Sequence, residues 1–260
     1  MAGQTTEPSR IMNQFADHFS SVATDYARYR PSYPDALFDH LVKLAGDNAV
    51  VWDCATGSGQ AALALAKRVA TVIATDASAA QIEQAKAHPD ISYRVATAEN
   101  SGLDDHSVNL VTVAQALHWF DLDAFYREVN RVVIPGGLIA AWCYGPPTLP
   151  TPALQSELDH FYTEILGPYW PPERALVESG YRDLAFPFQP LPAPQLDMSV
   201  EVNLENLIGY LGTWSANRRH IEARGFDPRP ELRRRLVTDW GDPNDTKTLR
   251  WPLPVRIGRV

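Results

Sequence analysis

The stretch Val50–Ala66 reads VVWDCATGSGQAALALA, and it decides the fold of this chain. An apolar run typical of a buried strand ends at Asp53, a loop of small residues follows, and a segment rich in alanine and leucine comes next. Within the loop, Gly57, Gly59 and Ala62 satisfy the pattern G-x-G-x-x-A, which is typical of turns that approach a nucleotide-like ligand. The stretch therefore predicts a strand, a ligand-binding turn and a helix in succession.

Outward from this stretch, segments typical of strands alternate with segments typical of helices. Such alternation predicts parallel strands that are joined by right-handed crossovers. The predicted fold class is therefore α/β, a doubly wound, mostly parallel seven-stranded sheet. The predicted strands are Ala49–Asp53, Thr71–Thr75, Ile91–Ala96, Val108–Val113 and Leu138–Trp142, and the predicted helices are Asp35–Leu44, Gln60–Val69, Ala79–Ala87 and Leu122–Val133.

Both ends of the chain add helical segments to this predicted sheet. Aromatic and apolar residues recur at helical spacing between Phe15 and Tyr29, so residues 1–45 are predicted to form a helical leader that covers the domain of residues 46–260. Past Tyr144 the sequence is rich in proline, and boundaries are harder to place. There we predict strands at Arg182–Phe188 and Val255–Val260, with a helical stretch Leu204–His220 inside a substrate-side insertion around residues 190–245.

The net charge and amino-acid composition exclude several classes of function. The formal net charge of −8 argues against a protein whose main surface binds the phosphate backbone of nucleic acids. We therefore expect a small-molecule substrate and no nucleic acid. No apolar run approaches the roughly 20 residues that span a bilayer, and no signal peptide is evident, so we expect a cytoplasmic protein without a membrane partner, either a monomer or a homodimer. The two cysteines, Cys54 and Cys143, are expected to be buried thiols rather than a disulfide or metal ligands.

The acidic residues at two predicted strand ends separate the candidate ligands. Asp76 ends the second strand, where a carboxylate can hold both hydroxyls of a ribose, which suits NAD as well as an adenosyl ligand. Asp53, however, would face the place where a dinucleotide puts its pyrophosphate, and two anions there would repel. A ligand with an ammonium group would be attracted instead. S-adenosylmethionine carries such a group and has no phosphate.

At this point the sequence resembles the class I S-adenosylmethionine-dependent methyltransferases, of the type 11 kind. VVWDCATGSGQ is similar to their first motif, VIATDAS to the acidic second motif, and VATAENSGLDDHSVNLVTVAQALHWFD to the third and fourth. The HWF cluster, the leader FADHFSSVATDYARYRPSYP and the later GYLGTWSA resemble the branch that includes trans-aconitate methyltransferases. One position departs from the pattern, because Ala55 stands where the first motif usually has a glycine.

The resemblance implies roles for individual residues. Asp53 would bind the methionine ammonium directly or through water, Gly57 and Gly59 would leave space beside the methionyl chain, and Asp76 would bind the ribose. The other residues implied for the cofactor are Tyr26, Arg30, Ala55, Ala77, Gln81, Ala98, Glu99, Gln115 and Ala116. His118 and Trp119 are the candidate catalytic residues, and Tyr33, Trp142, Tyr144, Tyr210 and Trp214 are candidates for the wall of the acceptor pocket.

Several interpretations stay open from the sequence. The resemblance favours O-methylation of a small carboxylic acid, which needs no general base, whereas other acceptors would need one, with His118 as the obvious candidate. His118 and Trp119 could equally be structural, and the arginines between Arg218 and Arg235 could be a solvated face or could attract an anionic substrate. No metal site is expected. The alternatives from other classes are a non-catalytic S-adenosylmethionine-binding protein and an NAD-dependent oxidoreductase.

Overall fold

The structure, a computed structural model, describes residues 31–260. The strands are β1 Val50–Cys54, β2 Thr71–Asp76, β3 Ile91–Val95, β4 Val108–Ala114, β5 Val133–Trp142, β6 Gln189–Leu191, β7 Asp197–Val202, β8 Lys247–Pro252 and β9 Val255–Arg259. Seven of them form a central sheet with the order β3-β2-β1-β4-β5-β9-β6. The strands β1 to β5 pair in parallel, and β9 pairs antiparallel with both β5 and β6. This confirms the predicted doubly wound, mostly parallel sheet.

Helices cover both faces of this sheet, because its central strands are apolar on both sides. The side chain of Val51 points into one apolar layer and that of Trp52 into the opposite layer, and both are fully buried. The helices are α1 Asp35–Ala45, α2 Gln60–Ala66, α3 Ala79–Glu83, α4 Leu122–Val132, α5 Pro152–His160, α6 Arg174–Glu178, α7 Leu204–Gly212, α8 Ser215–Arg224 and α9 Arg229–Trp240, with a 3₁₀ turn at Leu117–Trp119, a π-helical turn at Phe161–Ile165 and another 3₁₀ turn at Gly167–Tyr169.

The carboxyl half differs most from the sequence prediction. Arg182–Phe188 was wrongly predicted as a strand; these residues form turns and irregular backbone, and the edge strand is the short β6 that follows. The predicted helical stretch Leu204–His220 is two helices, α7 and α8, separated at Thr213 and Trp214. Strands β7 and β8 form a separate antiparallel pair that the sequence pattern did not reveal.

Helix α3 is shorter than expected, because it ends at Glu83 rather than Ala87. A proline at position 89 disfavours helical backbone at the residue before it, which limits how far the helix can continue. The final strand lies where it was predicted. Both cysteines are buried and unpaired, as expected. The predicted leader lies largely outside the described residues, and the division of the chain near residue 45 stays a prediction.

No helix within residues 31–260 is long and apolar enough to cross a membrane.

The loop after β3 is held by a buried carboxylate. Glu128 on α4 is only 7% exposed, and its Oε1 accepts hydrogen bonds from the backbone N–H of Ser101 at 2.8 Å and from its hydroxyl at 2.5 Å. Arg131 adds an ion pair at 2.7 Å. These bonds hold the pKa of Glu128 below its usual value in spite of burial. The loop that carries Glu99 is thereby anchored to α4.

We expect Glu128→Ala to lower the free energy of unfolding by about 1 to 3 kcal/mol, because it leaves two buried donors of Ser101 without a partner. Urea unfolding monitored by circular dichroism measures this. Glu83→Ala on α3 is the matched control, since Glu83 is exposed, and should change stability by less than about 0.5 kcal/mol. Equal stability of the two variants would show that Glu128 does not anchor the loop.

Candidate functional site

The loop between β1 and α2 has the backbone of a ligand-binding turn. Gly57 and Gly59 have φ values of 58° and 88°, a region that glycine adopts without a steric cost. Ala55 also has a positive φ, of 54°. This explains physically why a glycine is favoured at that position, because an L-residue there is strained. The loop thus turns sharply at the carboxyl end of β1.

Asp76 ties this loop to the end of β2. Its Oδ2 accepts a hydrogen bond from the backbone N–H of Gly57 at 2.9 Å, and its Oδ1 accepts one from the N–H of Ser78 at 2.9 Å. Burial raises the pKa of this carboxyl, and the two backbone bonds oppose the rise. Each carboxylate oxygen can accept more than one hydrogen bond, so both keep acceptor capacity for a ligand.

Asp53 lies beneath the loop rather than in the cavity. It is fully buried and accepts hydrogen bonds from the hydroxyls of Thr56 at 2.5 Å and Thr112 at 2.7 Å. Burial raises its pKa to about 6, although the two threonine bonds counteract part of this rise. Direct contact with a ligand, one of the two options for Asp53, is therefore not supported by the geometry. Its charge can reach a ligand only across the loop.

Gly59 has a packing role besides the predicted one. It is absent from the cavity lining, and a Cβ at this position would clash with the Tyr93 ring on β3. This close packing and the left-handed backbone at the start of α2 both favour glycine here. That Gly59 leaves space beside the methionyl chain stays a prediction.

A cavity of about 520 Å³ opens at the carboxyl ends of the parallel strands. This is where ligands bind in open α/β sheets. Trp142, which was expected in the acceptor wall, is fully buried and packs edge-on against Tyr33 and Phe38 instead. Tyr26 and Arg30 lie outside the described residues. The other predicted site residues all line the cavity: Tyr33, Ala55, Gly57, Asp76, Ala77, Gln81, Ala98, Glu99, Gln115, Ala116, His118, Trp119, Tyr144, Tyr210 and Trp214.

Gln115 joins the ends of β4 and β5 at the cavity wall. Its side-chain amide donates to the carbonyl oxygen of Tyr144 at 3.0 Å, and its Oε1 accepts the N–H of Tyr144 at 3.1 Å. Its backbone has a φ of 58°, which is uncommon for a residue with a side chain. Strained backbone of this kind often occurs at functional sites. Gln115 therefore fixes the position of Tyr144 in the wall.

His118 is held as a neutral imidazole. Burial and the nearby Arg174 guanidinium lower its pKa to about 3. Its Nδ1 lies 2.8 Å from the hydroxyl of Tyr181, a fully buried residue whose pKa is raised well above its usual value by burial. In the tautomer whose proton is on Nε2, the Tyr181 hydroxyl donates to Nδ1 and the Nε2–H is left as a donor.

The sequence interpretation missed Arg174 and Trp170 in this cavity. The Arg174 guanidinium stacks over the Trp170 ring at 4.7 Å and donates to the Tyr162 hydroxyl at 2.6 Å. These contacts, together with an ion pair from its Nε to Glu178 at 3.7 Å, hold the Arg174 guanidinium in a fixed orientation, and its side chain is only 18% exposed. Trp170 stands between prolines and Arg174 follows closely, a pattern that carries no recognisable motif. Only folding brings them beside the strand ends.

The charges in the cavity lining fall into two groups. Asp76 and Glu99 follow β2 and β3 at one end of the sheet. Arg174 comes from α6, and Arg218 and Arg219 come from α8, and both helices lie between β5 and β9 in the chain. The arginines at 218 and 219 therefore line the cavity rather than only forming a solvated face. In residues 31–260, no cluster of three or more histidine, cysteine, aspartate or glutamate side chains could hold a metal ion.

Replacement of the strained Ala55 tests the loop geometry. We expect Ala55→Gly to raise the free energy of unfolding by up to about 1 kcal/mol, because it relieves a left-handed backbone. Ala64→Gly within α2 is the matched control and should lower it by about 1 kcal/mol. Urea unfolding measures both. If Ala55→Gly destabilised the protein as much as Ala64→Gly does, the left-handed backbone at Ala55 would be disproved.

Comparisons with known proteins agree with this geometry. Residues 52–141 match the family model described as a methyltransferase domain. A Dictyostelium discoideum protein named as a methyltransferase is 32% identical over 254 residues, which cover 96% of this chain and 97% of the relative. A solved structure from Anaeromyxobacter dehalogenans, described as a type II methyltransferase, is 44% identical, has a TM-score of 0.83 and covers 89% of this chain and 98% of its own. A Mycobacterium tuberculosis protein, also named as a methyltransferase, is 38% identical over 120 residues, or 46% of this chain and 49% of its own.

Proposed function

Because this chain belongs to the class I S-adenosylmethionine-dependent methyltransferases, we propose that its cavity aligns the carboxylate of a small organic acid with the cofactor for O-methylation. The enzyme class and the cofactor follow from the family, and they displace the oxidoreductase and non-catalytic alternatives. The acceptor is the new element of the proposal. The observation that carries it is the combination of arginines and a neutral histidine in the lining.

The residues at the β2 end fit the cofactor. Asp76 is held by two backbone N–H groups with lone pairs to spare, so it is suited to accept both ribose hydroxyls. Ala98 and Glu99 would approach the adenine, and the glycine turn leaves room beside the methionyl chain at Gly57. Bound S-adenosylmethionine supplies an electrophilic methyl group that an acceptor oxygen displaces in line.

The other end of the cavity fits an anion. Arg174 presents a planar guanidinium, which matches a carboxylate in a bidentate geometry. His118 lines the same cavity and, in the tautomer with its proton on Nε2, adds a second hydrogen-bond donor. Trp119 and Trp214 complete an aromatic wall around the acceptor. Together these groups would orient the acid and exclude water from it.

The protonation states of the residues that line the cavity also favour a carboxylic acid as the acceptor. A carboxylate is already a nucleophile at neutral pH, whereas an alcohol or an amine usually needs a general base. A histidine with a pKa of about 3 is a poor base at neutral pH, so His118 would serve as a hydrogen-bond donor. The carboxylates of the lining, Asp76 and Glu99, are assigned to the cofactor in this proposal. An acceptor that needs no base is therefore the best match.

Product analysis tests the proposal directly. The purified protein is incubated with S-adenosylmethionine that carries a deuterated methyl group and with matched sets of small carboxylic acids, alcohols and amines. We expect deuterated methyl esters from the acids, identified by mass spectrometry and by their cleavage in mild alkali. Methyl transfer only to the alcohols or amines would refute the carboxylate acceptor while leaving the methyltransferase assignment intact.

Substitution of Arg174, which we propose binds the acid, gives the second test. We expect Arg174→Ala to lower kcat/KM for the acid by about 10- to 100-fold, or roughly 1.4 to 3 kcal/mol, with little change in cofactor affinity. Arg182→Ala is the matched control, because Arg182 is exposed and does not line the cavity. Steady-state kinetics and calorimetry with S-adenosylhomocysteine separate the two effects. Equal loss of cofactor affinity in Arg174→Ala would contradict the acceptor role.

The pH profile of the same enzyme follows from His118. Because the pKa of His118 is about 3 in the folded protein, its imidazole stays neutral above pH 5. We therefore expect that kcat at saturating cofactor does not fall below pH 6.5 through protonation of His118. Measurement of kcat from pH 5.5 to 8 in the native enzyme and in His118→Gln checks this. A limb near pH 6.5 that disappears in His118→Gln would mean that the histidine acts as a base.

A further inference from the structure

Tyr181 lies beside the cofactor cavity without being part of its lining. It is fully buried, and its hydroxyl lies 2.8 Å from Nδ1 of His118, whose ring does line the cavity. The two rings pack with their centroids 5.8 Å apart. Because the tyrosine occupies Nδ1, the nitrogen of the imidazole that remains for a bound acceptor is Nε2. Any effect of Tyr181 on the acceptor therefore passes through His118.

The same hydroxyl closes the beginning of the 3₁₀ turn Leu117–Trp119, which carries His118. The residue before this turn, Ala116, offers no side chain that accepts a hydrogen bond from the turn. Hydrogen bonds from the backbone of His118 and of Leu117 reach the Tyr181 hydroxyl instead, and they oppose the rise that burial causes in the pKa of Tyr181. A bond that opposes this rise stabilises the phenolate, so the backbone N–H groups are the donors. Tyr181 thus provides the acceptor that the first N–H groups of a helical turn need.

These bonds leave the hydroxyl with one way to contact the imidazole. A tyrosine hydroxyl has one proton to donate and an oxygen that accepts. The backbone of Leu117 and of His118 already uses the oxygen as an acceptor, so its proton is what remains for Nδ1. If Nδ1 carried a proton instead, the oxygen would face three donors, and its own proton would have no acceptor within the described part of the chain. A buried donor without an acceptor is strongly disfavoured.

The backbone at Tyr181 is strained in a way that fits this role. Its φ is 63°, and Gly180 before it has a φ of 62°. Aromatic residues rarely adopt the left-handed region, and such strain is often found beside functional sites, where surrounding bonds enforce it. The N–H of Tyr181 donates to the carbonyl oxygen of Leu176 at 2.9 Å, and its own carbonyl oxygen accepts from the Arg256 guanidinium at 2.5 Å. The position of the tyrosine is therefore fixed from both sides of its backbone.

Helix α6 connects this tyrosine to the cation of the cavity. Arg174 is the first residue of α6, and Tyr181 lies in the turn that follows the helix. Val177 between them also lines the cavity. The segment of residues 174–181 thus carries the guanidinium that lines the cavity and the hydroxyl that contacts His118. Both groups are placed relative to each other by one short stretch of chain.

We propose that Tyr181 is a positioning residue for methyl transfer, because its hydroxyl keeps the proton of His118 on Nε2. The His118 Nε2–H then donates a hydrogen bond to an oxygen of the acceptor. With the proton on Nδ1, Nε2 would present a lone pair, which repels a carboxylate oxygen. The part of Tyr181 in catalysis rests on the carboxylate acceptor proposed above, whereas the location of the His118 proton does not.

Nitrogen NMR tests the location of this proton without any acceptor. The full-length protein is labelled with ¹⁵N-histidine and saturated with S-adenosylhomocysteine, and the signals of His118 are those that disappear in His118→Ala. Couplings between the ring protons and the two nitrogens show which nitrogen is protonated. At neutral pH we expect a protonated Nε2 and an unprotonated Nδ1. A proton on Nδ1 in the native protein would overturn the proposal, whether or not a Tyr181 variant folds.

Removal of one hydroxyl tests whether Tyr181 is the partner of Nδ1. In Tyr181→Phe we expect the Nδ1 signal of His118 to shift, because this nitrogen loses its hydrogen-bond donor. Tyr126→Phe is the matched control, since Tyr126 is also buried and its hydroxyl donates to the carbonyl oxygen of Ala185 at 2.7 Å. This control should leave the signals of His118 unchanged. An Nδ1 signal that stays in place in Tyr181→Phe would contradict the proposal.

A double-mutant cycle tests the role in methyl transfer, with the acid that the product analysis shows to be methylated. We expect Tyr181→Phe to lower kcat/KM about 3- to 10-fold, with the affinity for S-adenosylhomocysteine unchanged. In the His118→Ala background, Tyr181→Phe should have no further effect, because Tyr181 acts through His118. Losses that multiply in the double variant would mean that Tyr181 has a merely structural role. If the native enzyme methylates no acid, the carboxylate acceptor is refuted, and the NMR measurement still decides where the His118 proton lies.

Discussion

The Asp76 carboxylate accepts the N–H groups of both Gly57 and Ser78, and this tie between two strand-end loops sets the geometry of the cavity. Parallel pairing of β1 with β2 brings the two loops to the same edge of the sheet. Without the carboxylate, the N–H of Gly57 would lose its partner beside the ligand site. The glycine turn that we propose for the methionyl chain and the carboxylate that we propose for the ribose are therefore one hydrogen-bonded unit. The left-handed backbone at Ala55 is part of the same turn.

The cavity combines this acidic end with a basic one built from different parts of the chain. Arg174 depends on the aromatic faces of Trp170 and Tyr162, which hold its guanidinium at low exposure. Burial and, after it, the same positive charge lower the pKa of His118, whose Nδ1 forms a hydrogen bond with the Tyr181 hydroxyl. The result is a site that offers donors and a cation but no histidine base. Such a site suits an acceptor that arrives already ionised.

How much of this could be predicted from the sequence depends on how local each signal is. The strand, glycine turn and Asp76 lie within 27 residues, so pattern and spacing were sufficient to predict them. Arg174 reaches the cavity, and Tyr181 reaches His118, only through tertiary packing, and nothing in their sequence neighbourhood signals a ligand. Contrary to the prediction, Trp142 does not line the cavity, because its side chain packs against Tyr33 and Phe38. Gly59 packs closely against Tyr93, and spacing alone does not distinguish this packing from ligand contact.

The measurement that tests the central geometry most directly is titration calorimetry of S-adenosylhomocysteine with the native protein and with Asp76→Ala and Arg174→Ala. If the acidic end holds the ribose and the basic end holds the acceptor, Asp76→Ala should weaken binding by about 1 to 3 kcal/mol. Arg174→Ala should then bind as the native protein does. Unchanged binding by Asp76→Ala, or an equal loss in both variants, would contradict the division of the cavity into a cofactor end and an acceptor end.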